Sequence, residues 1–334
     1  MQWLQLYELN DRLLGSMLAA LGENFADFEV YAANGGDLIV VAVAEGRVPR
    51  PGPLPEKEKV FMQQLQRIGI KRQEEISARS VGTKRAIAPL LAPLAPTINS
   101  DFRPIVQLEA PRARFQGTSA GAVFALAEAP LPILEMAGGA TLAYLREPAA
   151  TFELSPPVLI QSAALMLERG LRDRSADPLR VSDERVRLAL LALKQPGALC
   201  GAAPPEAAIE QLHWAATVTL AHLAPAPLRA LWIERKWLDC AAARKSPQLR
   251  ERLDVYAAIA ARDARAMLER ARALLAEPAR GGDEWGRFLL LTAMLGAQVA
   301  GEHEEAGRLW LKYRAAFYPN GEIPPQVAYV VNLH

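Results

Sequence analysis

The chain has 334 residues, of which 51% are hydrophobic and 22% charged, with a formal net charge of +1. That is enough apolar material for a sizeable core and for two domains, and too little net charge for a field that would gather nucleic acid. No run approaches the roughly 18 apolar residues of a membrane helix, and the opening MQWLQLYELNDR lacks the basic and apolar regions of a signal peptide, so a soluble, cytoplasmic chain is expected.

Taken in order, Glu8 to Leu21 carries Leu9, Leu13, Leu14, Met17, Leu18 and Leu21 on one helical stripe. Asn10 or Asp11 suits the start of that helix, and Gly22 suits a left-handed end. Phe28–Ala33 and Asp37–Ala44 read as strands, joined by Asn34-Gly35-Gly36, a turn of the kind that favours positive φ. Leu38 to Ala44 is apolar almost throughout, the pattern of a strand covered on both faces. RVPRPGPLP (Arg47–Pro55) is a break. Beyond it Glu56–Ile68 reads as a charged helix, followed by a second helical stretch at Glu74–Arg79. Pro89, Pro93 and Pro96 punctuate an apolar segment, and Ile105, Val106 and Leu108 suit a short strand or extended arm.

From about Thr118 the text becomes Ala, Leu, Arg and Glu at helical spacing. Pro156-Pro157, Pro178, Pro196, Pro204-Pro205, Pro225, Pro227, Pro247 and Pro278 cut it into helix-length pieces, predicting antiparallel helical hairpins. One piece, Leu289–Phe317, places Gly301, Ala306 and Trp310 at offsets used by tetratricopeptide units. A generic bundle explains the same three positions. Cys200 and Cys240 read as buried structural thiols and indicate no compartment. His213, His222, His303 and His334 show no metal-ligand grouping, and no nucleophile elbow, phosphate loop or zinc-protease motif is present. Lys57–Lys59 and Lys71–Arg72 read as solvated helix charges. Trp214, Trp232, Trp237, Trp285 and Trp310 suit helix–helix core, with a concave peptide-gripping array as the alternative.

Two segments carry a family resemblance. QWLQLYEL (Gln2–Leu9) leads into the helix and strand pair, and NSDFRPIVQLEAPR (Asn99–Arg112) follows at a fitting separation. The second is similar to the N-T-D-D-R-P-x-x-E-x-x-A-P-R pattern of spermidine synthase-like proteins, matching at Asn99, Asp101, Arg103, Pro104, Glu109, Ala110, Pro111 and Arg112. Ser100 and Phe102 depart from it, and Glu109 falls one residue late. The resemblance covers about the first third of the chain. It implies the C-terminal part of a Rossmann-like methyltransferase fold and kinship with enzymes that move an aminopropyl group from decarboxylated S-adenosylmethionine to an amine. It carries Gln2 alone toward the acceptor amine, as a substrate-binding residue at the end of the family's fifth strand. The family's Gly-rich turn and acidic catalytic loop belong before that strand and have no counterpart here.

The expected organisation is therefore mixed α/β followed by all-α. Residues 1–116 form the C-terminal part of a spermidine synthase-like domain, with a Pro-rich linker and helical insertion at 47–96, and residues 117–334 form a helical, tetratricopeptide-like domain. No catalytic residue, no metal site and no cofactor held by this chain alone are expected. Gln2 and Tyr7 are either a pocket remnant or a start packed on the sheet, the second being preferred. Asp101, Arg103, Glu109 and Arg112 suit a local ion-pair network, with anion binding as the alternative. The functional expectation is an aminopropyltransferase relative that is incomplete and inactive alone, its sheet completed by a protein partner. The alternative is a non-catalytic helical module that binds a protein and is capped by an α/β remnant.

Overall fold

The computed structural model describes residues 1–55, 57–94, 97–139, 142–149, 154–173, 175–195, 197–200, 204–238, 246–277 and 283–333. It is mixed: a four-stranded antiparallel sheet and sixteen α-helices are seen among the described residues. Pro96, Pro196, Pro278, Cys240 and His334 lie outside them.

The first four elements are β1 (Gln2–Gln5), α1 (Asp11–Asn24), β2 (Asp27–Ala32) and β3 (Asp37–Val43). The Asn10 side chain accepts from the Leu13 amide and caps α1, as expected. Gly22 does not end that helix, which continues to Asn24 and stops with Phe25 in extended backbone. The Lys84 ammonium donates to the carbonyls of Gly22 and Phe25 and so supplies the C-terminal charge that the helix itself lacks. The Asn34-Gly35-Gly36 turn needs no positive φ. Instead the Asn34 carboxamide accepts from the Gly36 amide at 2.7 Å and donates to the Asp37 carboxylate at 2.8 Å.

β3 lies between β1 and β2 and is antiparallel to both, so β1 and β2 run parallel with α1 as their connection. Leu4, Phe28, Val30, Ala32, Leu38 and Val40 are fully or almost fully buried. Register aligns Leu4 with Leu38, Leu38 with Ala32, and Val40 with Val30, which places this set on one face under α1. The other face is only half covered, so β3 is not the doubly buried strand that its apolar text suggests: Trp3 is 54% exposed and Ile39 and Val41 are half-buried.

After the Pro-rich stretch come α2 (Lys59–Arg67) and α3 (Gln73–Ser77), then β4 (Ser80–Thr83) on the outer side of β2. No periodic pattern marks β4, a strand of four residues containing a glycine. The apolar Pro-punctuated segment is one helix, α4 (Lys84–Leu94), which keeps Pro89 and Pro93 inside it. The Asn99–Arg112 segment is not an extended arm. It turns through Ser100–Arg103 and becomes α5 (Ile105–Phe115), because the Asn99 side chain accepts from the Val106 amide. Short helices α6 (Ala122–Ala127) and α7 (Ile133–Met136) follow.

Prolines open most of the helices beyond them, where their fixed φ and missing N–H cost nothing. These are α8 (Pro156–Arg172), α9 (Glu184–Leu193, capped by Asp183), α10 (Glu206–His222, after Pro205) and α11 (Pro225–Arg229, continued by a π turn at Ala230–Glu234). Next are α12 (Pro247–Ala260), α13 (Ala264–Leu275), α14 (Asp283–Val299), α15 (His303–Phe317) and α16 (Pro325–Val331). Gly301 closes the α14–α15 connection at φ +79, and Ala306 and Trp310 are buried. Cys200 is disulfide-bonded, a correction to the thiol reading; long-range pairing leaves no periodic trace in a sequence.

The last helix returns to the first unit. α16 packs on α4 and α6, and the buried Tyr329 hydroxyl donates to the Ala86 carbonyl at 2.6 Å across 243 positions. One buried apolar cluster accordingly runs from Leu4 to Val330.

Two glycines test the helix packing. A Cβ at Gly296 would stand 2.6 Å from the Ala264 carbonyl and 2.8 Å from the Leu268 amide nitrogen, so α14 crosses α13 backbone to backbone. Gly296→Ala is expected to destabilise the fold by about 1–3 kcal/mol. Gly307→Ala on α15 meets nothing within 4 Å and is expected to stabilise by up to about 1 kcal/mol. Urea denaturation of the two variants checks the sign of each.

Candidate functional site

The positions singled out by resemblance gather around the outer side of β1. Leu6 donates to the Gly36 carbonyl, so the even-numbered peptide groups of β1 face β3. Alternation then turns those of Trp3 and Gln5 toward the unpaired edge. The Gln2 carboxamide donates to the Trp3 carbonyl at 2.8 Å, on that edge. Beneath it a cavity of about 310 Å³ opens between β1 and α1, lined by Gln2, Leu4, Met17, Leu21, Asn24 and Asn99 among others. Gln2 and Asn99, from the two segments that carry the resemblance, thus meet in one place. The lining residues supply amides and apolar surface and include no titratable side chain. Such a lining can hold a polar group by hydrogen bonds, but it offers no proton acceptor for chemistry.

The expected ion-pair network does not form. Glu109 pairs with Arg12 at 3.3 Å, joining α5 to α1, while Asp101, Arg103 and Arg112 stand exposed with no ion pair among the described residues. The pattern is laid out along a turn and the helix α5 and not along one extended arm. Pro104 stands at the N-terminus of α5, before Ile105. Tyr7 is 47% exposed and forms an isolated bridge with Ser119 beyond the end of β1.

A second cavity, of about 470 Å³, lies in the helical half and was not anticipated. Its walls come from α8, α10, α14, the residues after α6 and the segment between α15 and α16. His213 lines it, with its Nδ1 2.9 Å from the Tyr256 hydroxyl and its ring edge-on to Trp285 and Phe288. Arg252 stacks on Trp285 at 4.1 Å. Tyr256 is fully buried and His213 Nδ1 is the one acceptor found for its hydroxyl proton among the described residues, so the hydroxyl donates to Nδ1 and Nε2 carries the ring's own proton. Burial, with Arg252 nearby, lowers the His213 pKa to about 4. The rim carries Glu128, Glu284 and Arg287. Glu128 keeps a solvent-facing side, yet enough of it is shielded for desolvation to raise its pKa above the ordinary glutamate range. Arg287 is already engaged, donating to the Phe317 carbonyl at 3.0 Å and lying over the Tyr318 ring at 5.6 Å. The residues that build this cavity come from five parts of the chain, and only a weak excess of Trp in the helical text hinted at it.

Among the described residues no group of three or more His, Cys, Asp or Glu side chains is placed to hold a metal, and no helix is long and apolar enough to cross a membrane. Comparison of the chain with protein-family profiles, with curated proteins and with solved structures finds no match.

His213 and His222 give the fold a pH dependence. Burial also lowers the His222 pKa to about 4, with a hydrogen bond to the Ala129 backbone opposing the shift and Arg262 adding to it. The unfolded chain takes up these protons near pH 6.5 and the folded chain only near 4, so the stability is whole above 6.5 and declines as pH falls toward 4. Each ring is worth on the order of 3 kcal/mol over that window. Unfolding free energy measured from pH 7 to 5 is expected to fall, and His222→Asn is expected to flatten the slope; an unchanged slope contradicts the assignment.

Proposed function

We propose that residues 1–116 are the closing part of a Rossmann-like methyltransferase-type sheet of the spermidine synthase-like group, and that the strands holding the nucleoside lie outside this chain. The observation that carries the reading is the insertion of β3, antiparallel, between the parallel strands β1 and β2, which leaves the outer edge of β1 without a strand among the described residues. An edge of this kind presents peptide donors and acceptors to any further strand. It has no proline or charged residue to repel one: Gln2, Trp3, Leu4 and Gln5 are all neutral. The cavity between β1 and α1 fits the same reading, as apolar surface that the next layer of such a fold would cover.

On this reading the chain contributes Gln2 to the acceptor side of a composite pocket and does not hold decarboxylated S-adenosylmethionine by itself. The reaction needs a group to orient the donor's ribose and a carboxylate to take the amine's proton. Neither is found among the described residues that line the cavity at Gln2.

A second reading rests on the helical half as a tetratricopeptide-like, protein-binding module with the α/β unit as its cap. The turn at Gly301, the buried Ala306 and Trp310, and the close crossing at Gly296 favour it over an irregular bundle.

Calorimetric titration with decarboxylated S-adenosylmethionine is expected to give no binding by the chain alone, and a micromolar dissociation constant contradicts the first reading. The DNA adjoining Met1 tests the lineage. A Gly-rich strand-to-helix turn and an acidic catalytic loop, encoded in frame or in a neighbouring gene, support it; the lack of both counts against it.

A further inference from the structure

The structure assigns the cavity between α8, α10 and α14 as a binding site for a small organic cation whose apolar body carries a hydrogen-bond acceptor. The assignment is independent of the reading of the β1 edge, since no residue is shared between the two places.

Three observations converge on that chemistry. The first is size and surface: about 470 Å³ between Ile160, Trp214, Val218 and Leu291 suits an organic molecule far better than an ion. The second is charge. Arg287 gives its Nε–H to the Phe317 carbonyl and lies over the Tyr318 ring, and Glu128 and Glu284 form no ion pair among the described residues, so the lining carries two carboxylates against one guanidinium. Two exposed carboxylates from different elements line one space, where an ammonium meets both. The third is the histidine. His213 is 6% exposed and lines the cavity; Tyr256 occupies its Nδ1, and its Nε2–H has no partner among the described residues. Nε2 is not sealed from the cavity, and an acceptor atom on the ligand body can take the place of water there.

The charge on the ligand follows from these groups. An anion would meet two unpaired carboxylates against the single guanidinium of Arg287. A neutral apolar ligand would leave Glu128 shielded from water without compensation, besides leaving Nε2–H unsatisfied.

A matched pair of probes tests this: 4-methoxyphenethylammonium and 3-(4-methoxyphenyl)propionate share a ring and an acceptor and differ in the sign of the charge. Calorimetry at neutral pH and low salt is expected to show the ammonium binding with Kd of about 1 mM or tighter and about tenfold or more ahead of the carboxylate. The Glu128→Gln/Glu284→Gln double variant is expected to lose about tenfold for the ammonium alone, while Glu322→Gln, outside the cavity, leaves it unchanged. Both glutamates are exposed, and a thermal melt verifies that the variant is folded. The comparison of the two probes on the unaltered chain stands whether or not it is. Equal affinity for the two probes, preference for the carboxylate, no heat from either at about 10 mM, or a folded double variant that binds as well as the original each overturn the assignment.

Discussion

The position of β3 constrains everything in the first unit. Because it enters the sheet between β1 and β2 and opposes both, it uses the inner peptide edge of β1 and leaves the outer one facing away from the sheet. A tight turn fixes this arrangement. Asn34 bonds to Gly36 and Asp37, setting the register that pairs Leu38 with Ala32 on one side and with Leu4 on the other. A slip of one residue would turn Leu38 and Val40 from the buried face to the half-covered one and expose the apolar floor under α1. Turn chemistry, register and edge are thus one problem, solved once.

The helical half is attached to that unit by more than sequence. α16 comes back to pack on α4 and α6, with Tyr329 reaching the Ala86 carbonyl; burial raises its pKa to about 12, so the hydroxyl stays a donor throughout the neutral range. A similar economy appears at Arg262, which bridges α12 to α7 through Glu135 at 2.7 Å and to α10 through the Leu220 carbonyl. Its backbone sits at φ 54, a left-handed value rare for arginine, so these contacts hold a strained residue in place. Both devices tie segments far apart in the chain, which is why the buried cluster runs unbroken from the sheet to the last helix.

Local signals in the sequence read well. The α1 stripe, the two hairpin strands and the proline-opened helices all appear where periodicity and caps place them. Features that depend on partners far away in the chain do not. β4 is four residues recruited by β2, and α5 forms from text resembling an extended arm because Asn99 caps it. Asp101, Arg103 and Arg112 look like a network in one dimension and form no ion pair among the described residues. The second cavity is the extreme case. His213 reads as an isolated histidine in an Ala/Leu helix, and only the meeting of α10, α12 and α14 gives it Tyr256 on one nitrogen and an open space beside the ring.

The central claim is that the outer edge of β1 is vacant and competent to accept a strand. Hydrogen exchange resolved to single amides in the chain alone tests it most directly. Fast exchange is expected at Trp3 and Gln5, whose N–H groups face outward, against slow exchange at Leu4 and Leu6, which face β3. Equal protection of all four amides would mean that the edge is already covered, and would contradict it.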